Sequence, residues 1–122
     1  KTFYVFSHLM SSPTGLNFYC SIFQFSRVSS LKITGITFSS CTTLISHFEL
    51  YNYLDHLVDD NPSKIGSFSP GYHIPVYSSE RILDDSPDLI VILAWRYADE
   101  IIKRNPAYKG AWLVPLPSPT IY

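Results

Sequence analysis

The run Leu89-Ile-Val-Ile-Leu-Ala94 constrains this chain more than any other stretch. It offers no polar side, so a segment built from it must be covered on both sides. A strand inside a parallel sheet with both faces packed meets that demand. Directly after it, Tyr97–Arg104 carries helical spacing. Tyr97/Ile101 and Ala98/Ile102 make an apolar stripe, with Asp99/Lys103 and Glu100/Arg104 as outward i,i+4 pairs in the favourable order. Trp112–Leu116 supplies a further strand, stopped by Pro115 and Pro117. Parallel strands need such a crossover, so this half of the chain reads as a βαβ unit.

The same alternation begins near residue 31. Leu31–Thr37 is a short strand ending near Gly35, and Cys41–Tyr53 is a helix with Leu44 and Phe48 one turn apart. Leu54–Asp59 is the second strand, and a Pro/Gly-bearing loop leads to an edge segment at Ile74-Pro75-Val76. Ser78 caps a short helix carrying Ile82 and Leu83, Glu80 favours its dipole, and Pro87 closes the unit. The expected fold class is α/β, a doubly wound and mostly parallel sheet flanked by helices in three layers, α/β/α. A hydrophobic share of 46% against 16% charged residues supplies the apolar material for such a core.

Residues 1–30 are of another kind. No Asp or Glu occurs before Glu49, and the leader is rich in Ser and aromatics, with short strand candidates at Thr2–Phe6 and Tyr19–Phe25. It is left unassigned, as a linker or flanking segment, with residues 31–122 as the α/β domain. The first residue is Lys1, in keeping with a piece of a longer protein.

Charge and cysteines narrow the function classes. Nine basic residues against ten acidic ones give a formal charge of −1, and no basic face marks a nucleic-acid or anionic-membrane partner. No apolar run reaches membrane-spanning length. Cys20 and Cys41 do not form a Cys-x-x-Cys pair, and no metal site is expected. They read as reduced thiols of a cytoplasmic protein.

Ligands of open parallel sheets bind beyond the carboxyl ends of the strands. After the first strand, Gly35 leads into small residues whose backbone N–H groups are suited to a phosphate, although a dinucleotide fingerprint needs three glycines. Asp59 and Asp60 end the second strand, near the roughly 20-residue offset at which a carboxylate reaches a ribose hydroxyl. Asp60-Asn61-Pro62 is equally good turn chemistry. Tyr72 and His73 lie in the long loop, where a histidine serves either packing or acid–base work. Trp95 and Arg96 follow the strongest strand, placed to stack on a base or pair with a phosphate, or simply to cap the core.

The run Leu54-Asp-His-Leu-Val-Asp-Asp-Asn-Pro-Ser-Lys64, Gly66, Phe68-Ser-Pro-Gly-Tyr-His-Ile-Pro-Val-Tyr-Ser78, then Pro87–Ala98 and Val114-Pro-Leu-Pro117, resembles the C-terminal domain of C-methyltransferases. The resemblance covers about residues 33–117. It implies a Rossmann-like domain that helps form the pocket for a nucleotide-linked sugar. In such enzymes S-adenosylmethionine and zinc are held on other domains, and this chain is expected to hold neither. The family's Gly-Tyr-Gly-Ala turn corresponds here to Gly35-Ile36-Thr37-Phe38, and of its paired glycines before the last strand only Gly110 remains. No Gly-rich donor motif is present in the sequence. The expected role is therefore a substrate-side domain, with no catalytic residue of its own, working with a methyl-donor-binding domain or subunit. The alternative is a non-enzymatic interaction module with a decayed pocket.

Overall fold

The computed structural model describes residues 32–37, 42–117 and 120–122. Six strands form one sheet: β1 (Ile33–Ile36), β2 (His56–Val58), β3 (Val76–Tyr77), β4 (Leu89–Ile92), β5 (Ala111–Val114) and β6 (Thr120–Ile121). Their spatial order is β3-β2-β1-β4-β5-β6. The first five are parallel, and β6 returns antiparallel to β5. With helices α1 (Thr42–His47), α2 (Arg81–Asp85) and α3 (Ala98–Arg104), this is an α/β Rossmann-like fold.

Side chains of neighbouring strand residues point to opposite faces, and the core divides accordingly. On one face Ile33, Leu57, Leu89, Val91 and Leu113 pack with Ile45 of α1 and with Leu50 and Leu54 beyond it. On the other, Ile36, Val58, Ile90, Ile92 and Trp112 pack with Ile82 of α2 and Ala98 of α3. The Leu89–Ile92 run sits mid-sheet, buried throughout. Each such side chain contributes about 1.5–3 kcal/mol of burial before entropy is subtracted.

Several boundaries differ from the sequence reading for identifiable reasons. The helix expected over Cys41–Tyr53 is broken, because Glu49 adopts a left-handed φ of 52° and a 3-10 turn, Leu50–Asn52, follows α1. A 3-10 turn over Trp95–Tyr97 precedes α3 and carries Tyr97 off the buried stripe. Tyr97 is 49% exposed, while Ala98 is buried and Ile101 and Ile102 are half-buried. Ser78 approaches the start of α2 but is not its cap: the N-cap position is Glu80, without a side-chain cap bond, while the Ser78 Oγ accepts from the N–H of Glu80 at 3.4 Å and its carbonyl from Arg81. Ile82 is buried as expected, whereas Leu83 faces outward. β6 was not foreseen, since the prolines around it read as a stop. The strand candidates at 2–6 and 19–25 and both cysteines lie outside the described residues. Among the described residues no helix is long and apolar enough to cross a membrane.

Candidate functional site at the carboxyl ends of the strands

From β1 the sheet grows one way to β2 and β3, and the other way to β4 and β5. The chain leaves neighbouring strands in opposite directions at β1 and β4, which is where such sheets open a crevice. Thr37 leaves β1 with its N–H on the Val58 carbonyl at 3.0 Å, and Leu93 leaves β4 with its N–H on the Ile36 carbonyl at 2.9 Å. Asp59 leaves β2 with its N–H on the Tyr77 carbonyl at 3.0 Å. The three strand ends are thereby tied together at one edge.

Asp59 is the hub of that edge and is only 3% exposed. Its Oδ2 accepts from the Thr37 hydroxyl at 2.8 Å and from Lys64 Nζ at 3.2 Å, and its Oδ1 accepts from the Asn61 N–H at 2.9 Å. A carboxylate has about four acceptor positions, and here three are filled. Asn61 repeats the pattern, its Oδ1 accepting from the N–H and the hydroxyl of Ser63. These two successive Asx turns curl the loop back and bring Lys64 over Asp59. Asp60 turns outward, and its carboxylate accepts from the Ser79 hydroxyl at the approach to α2.

The rest of the loop is a small hairpin. The Gly66 N–H donates to the Val76 carbonyl, the Val76 N–H to the Ser67 carbonyl, and the Ser69 N–H to the Ile74 carbonyl. The buried Ser69 hydroxyl accepts from the Ile74 N–H at 3.1 Å, and Gly66, Gly71 and His73 supply the positive φ values of the turns. Tyr72 stacks on Tyr51 with ring centres 4.5 Å apart. His73 is exposed and meets Phe68 edge-on at 6.4 Å. Between this hairpin and the strand ends lies a cleft of about 320 Å³, lined in part by Thr37, Ile45, Leu57, Lys64, Ser67 and Phe68.

Gly35 does not open the turn. It lies within β1, in register with Leu57 and Val91, and a Cβ there would stand 2.7 Å from Leu57 Cδ2. Its missing side chain lets Leu57 pack close against the β1 backbone. Trp95 and Arg96 form a pair of their own, the guanidinium 5.1 Å from the indole centre, with Trp95 packed against the α2/α3 side of the sheet. The cleft lies on the α1 side, so the sequence candidates divide between two faces.

A family model described as the C-methyltransferase C-terminal domain matches residues 26–117. The chain belongs to this family. Among curated proteins it is similar to the C-methyltransferase NovU of Streptomyces niveus, 36% identical over 66 residues, which are 52% of this chain and 16% of that relative. The chain thus spans a small part of the relative's length. The match takes in every candidate residue from Gly35 to Arg96.

In this C-methyltransferase C-terminal domain two features escaped the sequence reading. Lys64 figures only as part of the run that carries the family resemblance, and the signal that it folds inward is the Asp59-x-Asn61-x-Ser63 alternation of turn formers. The second is His56, a buried residue of β2. Its Nε2 lies 3.3 Å from the Thr34 hydroxyl and 3.6 Å from Asp85 Oδ2, and Asp85 is held by Arg81 Nε at 2.8 Å. Desolvation lowers the His56 pKa from its ordinary 6.5, against the pull of Asp85. One ring nitrogen faces both the hydroxyl and the carboxylate, so the trio lacks the through-ring geometry of a nucleophile–base–orienter relay. Among the described residues no three His, Cys, Asp or Glu side chains converge as a metal site.

Proposed function

We propose that this chain is the substrate-side domain of a C-methyltransferase, and that its cleft holds a nucleotide-linked sugar while the chemistry is carried elsewhere. The observation that carries the reading is the cleft itself, bounded by Thr37 at the end of β1, by α1, by Leu57 and Val76 of β2 and β3, and by the loop that follows β2. Family membership supplies the reaction class. Asp60 and Asn61 at the strand end and Tyr72 and His73 on the hairpin tip are the residues we assign to the rim of the substrate pocket, whereas Trp95 and Arg96 lie on the other face of the sheet, outside this cleft. Asp59 holds its base together.

S-adenosylmethionine would supply the methyl group, and zinc would be structural. We place both outside this chain. Support comes from Asp59, whose oxygens are committed to Thr37, Asn61 and Lys64 and not turned toward a ribose. Methylation at carbon also needs a base in hydrogen-bond reach of the acidic proton, and we place that base on the methyl-donor-binding domain or subunit.

Calorimetric titration with a panel of nucleotide-sugars tests the reading. Binding is expected, weakened in Asp60→Ala. The same chain mixed with nucleotide-sugar and S-adenosylmethionine is expected to give no methylated product. Absence of binding across the panel, or turnover by the chain alone, overturns the proposal.

A further inference from the structure

We infer that Lys64 is the residue by which the cleft selects an anionic ligand, with Asp59 as the positioning residue that aims it. The inference rests on the substrate-side reading and adds to it the group that reads the ligand's charge.

Lys64 carries the only charge among the described residues lining the cleft. Its ammonium has three donors, one directed at Asp59 Oδ2 at 3.2 Å. The Asp59 side chain is 2% exposed and that of Lys64 35% exposed. The pair is therefore a dipole whose negative end is buried and whose positive end reaches the opening. An anion entering the cleft meets the ammonium without meeting the carboxylate. Asp59 is in turn fixed by Thr37 from β1 and by the Asn61 N–H, so the ammonium is anchored to two strand ends and not to a flexible loop. The remaining surface is hydroxyl-bearing (Thr37, Thr42, Ser67) and apolar (Ile45, Leu57), and Phe68, 61% exposed, offers a ring at the mouth. A cation beside hydroxyls and an exposed ring fits a ligand that joins a phosphate to a flat group, and a nucleoside diphosphate has that composition.

The test uses the 122-residue chain, with pyrophosphate, uridine diphosphate and uridine diphosphate glucose as probes in calorimetry. Lys64→Gln is expected to weaken the two uridine compounds about 10- to 100-fold, the effect of removing one charge-assisted hydrogen bond. Lys64→Arg, which keeps the charge, is expected to restore most of the affinity. Because Lys64→Gln leaves Asp59 buried without its counter-ion, the Asp59→Asn/Lys64→Gln double variant provides a charge-balanced second measurement with the same expected loss. Unchanged affinity in either variant overturns the inference and leaves the substrate-side reading standing. A loss in Lys64→Arg as large as in Lys64→Gln also overturns it, since the role would then be structural. If the unaltered chain binds none of the three probes, the inference and the reading both fail.

Discussion

Replacing Gly110 by alanine tests how tightly the connection from α3 to β5 is packed. Gly110 is not in the left-handed region, unlike Gly66 and Gly71, so alanine meets no backbone penalty there. The obstacle is Tyr108. A Cβ at residue 110 would stand 2.1 Å from its Oη, 2.4 Å from Cζ and 2.9 Å from Cε2. Relieving such contacts to about 3.5 Å requires the hydroxyl end of the ring to move by roughly 1.4 Å. It is not free to do so. Tyr108 is buried, sits edge-on to Trp112 at 4.9 Å, and donates from its hydroxyl to the Pro87 carbonyl at 2.9 Å, with the Ala111 carbonyl at 3.2 Å. Burial pushes its pKa well up, so the hydroxyl remains a donor throughout the working pH range.

Overpacking costs about 1–3 kcal/mol, and a displaced buried hydroxyl that loses its acceptor costs about 1–3 more. The expected loss is about 2–6 kcal/mol, a large part of the 5–15 kcal/mol typical of a domain. Urea unfolding followed by tryptophan fluorescence measures it. In a Tyr108→Ala background the space is open, and adding Gly110→Ala should cost less than about 1 kcal/mol, the non-additivity expected of touching residues. A loss of under about 1 kcal/mol in the single variant, or equal losses in both backgrounds, would refute the clash as the reason for glycine.

Three further outcomes follow from the geometry. His56 has a depressed pKa when folded, so the unfolded chain binds its proton more readily, and stability is expected to fall as pH drops below about 6.5. His56→Gln should flatten that part of the stability–pH curve, and an unchanged slope would contradict the assignment. Gly35→Ala should cost about 1–3 kcal/mol in urea unfolding, less than Gly110→Ala because only the end of the Leu57 side chain lies within 3 Å. Ser69→Ala removes the acceptor of the Ile74 N–H and should cost about 1–2 kcal/mol. Amide exchange should quicken at Ile74 and stay slow at Val91; uniform acceleration would contradict a local role.

The fold was legible because its determinants are contiguous. Leu89–Ile92 announces a doubly covered strand by composition alone, and the helices beside it follow from crossover geometry. Tyr97 was misplaced because periodicity assumes an unbroken helix, and the 3-10 turn over Trp95–Tyr97 shifts the phase. The packing role of Gly35 was hidden for a related reason. A glycine near a strand end suggests a ligand turn, but whether a Cβ fits depends on Leu57, which lies 22 positions away in the chain and is brought there only by the sheet. Asp59 was visible as a strand-ending carboxylate. Its partners were not, since Thr37 reaches it across β1 and Lys64 only through two Asx turns. The partner of His56 is invisible in the sequence because Asp85 lies 29 positions away and approaches it from α2.

The most direct test of the substrate-side reading is an amide chemical-shift titration of the chain with uridine diphosphate glucose. The predicted shifts fall at Thr37, Asp60, Asn61, Lys64 and Ser67, at the carboxyl ends of the strands, while Thr34, His56 and Asp85 stay still. Shifts confined to the His56 side, or none at all, would contradict it.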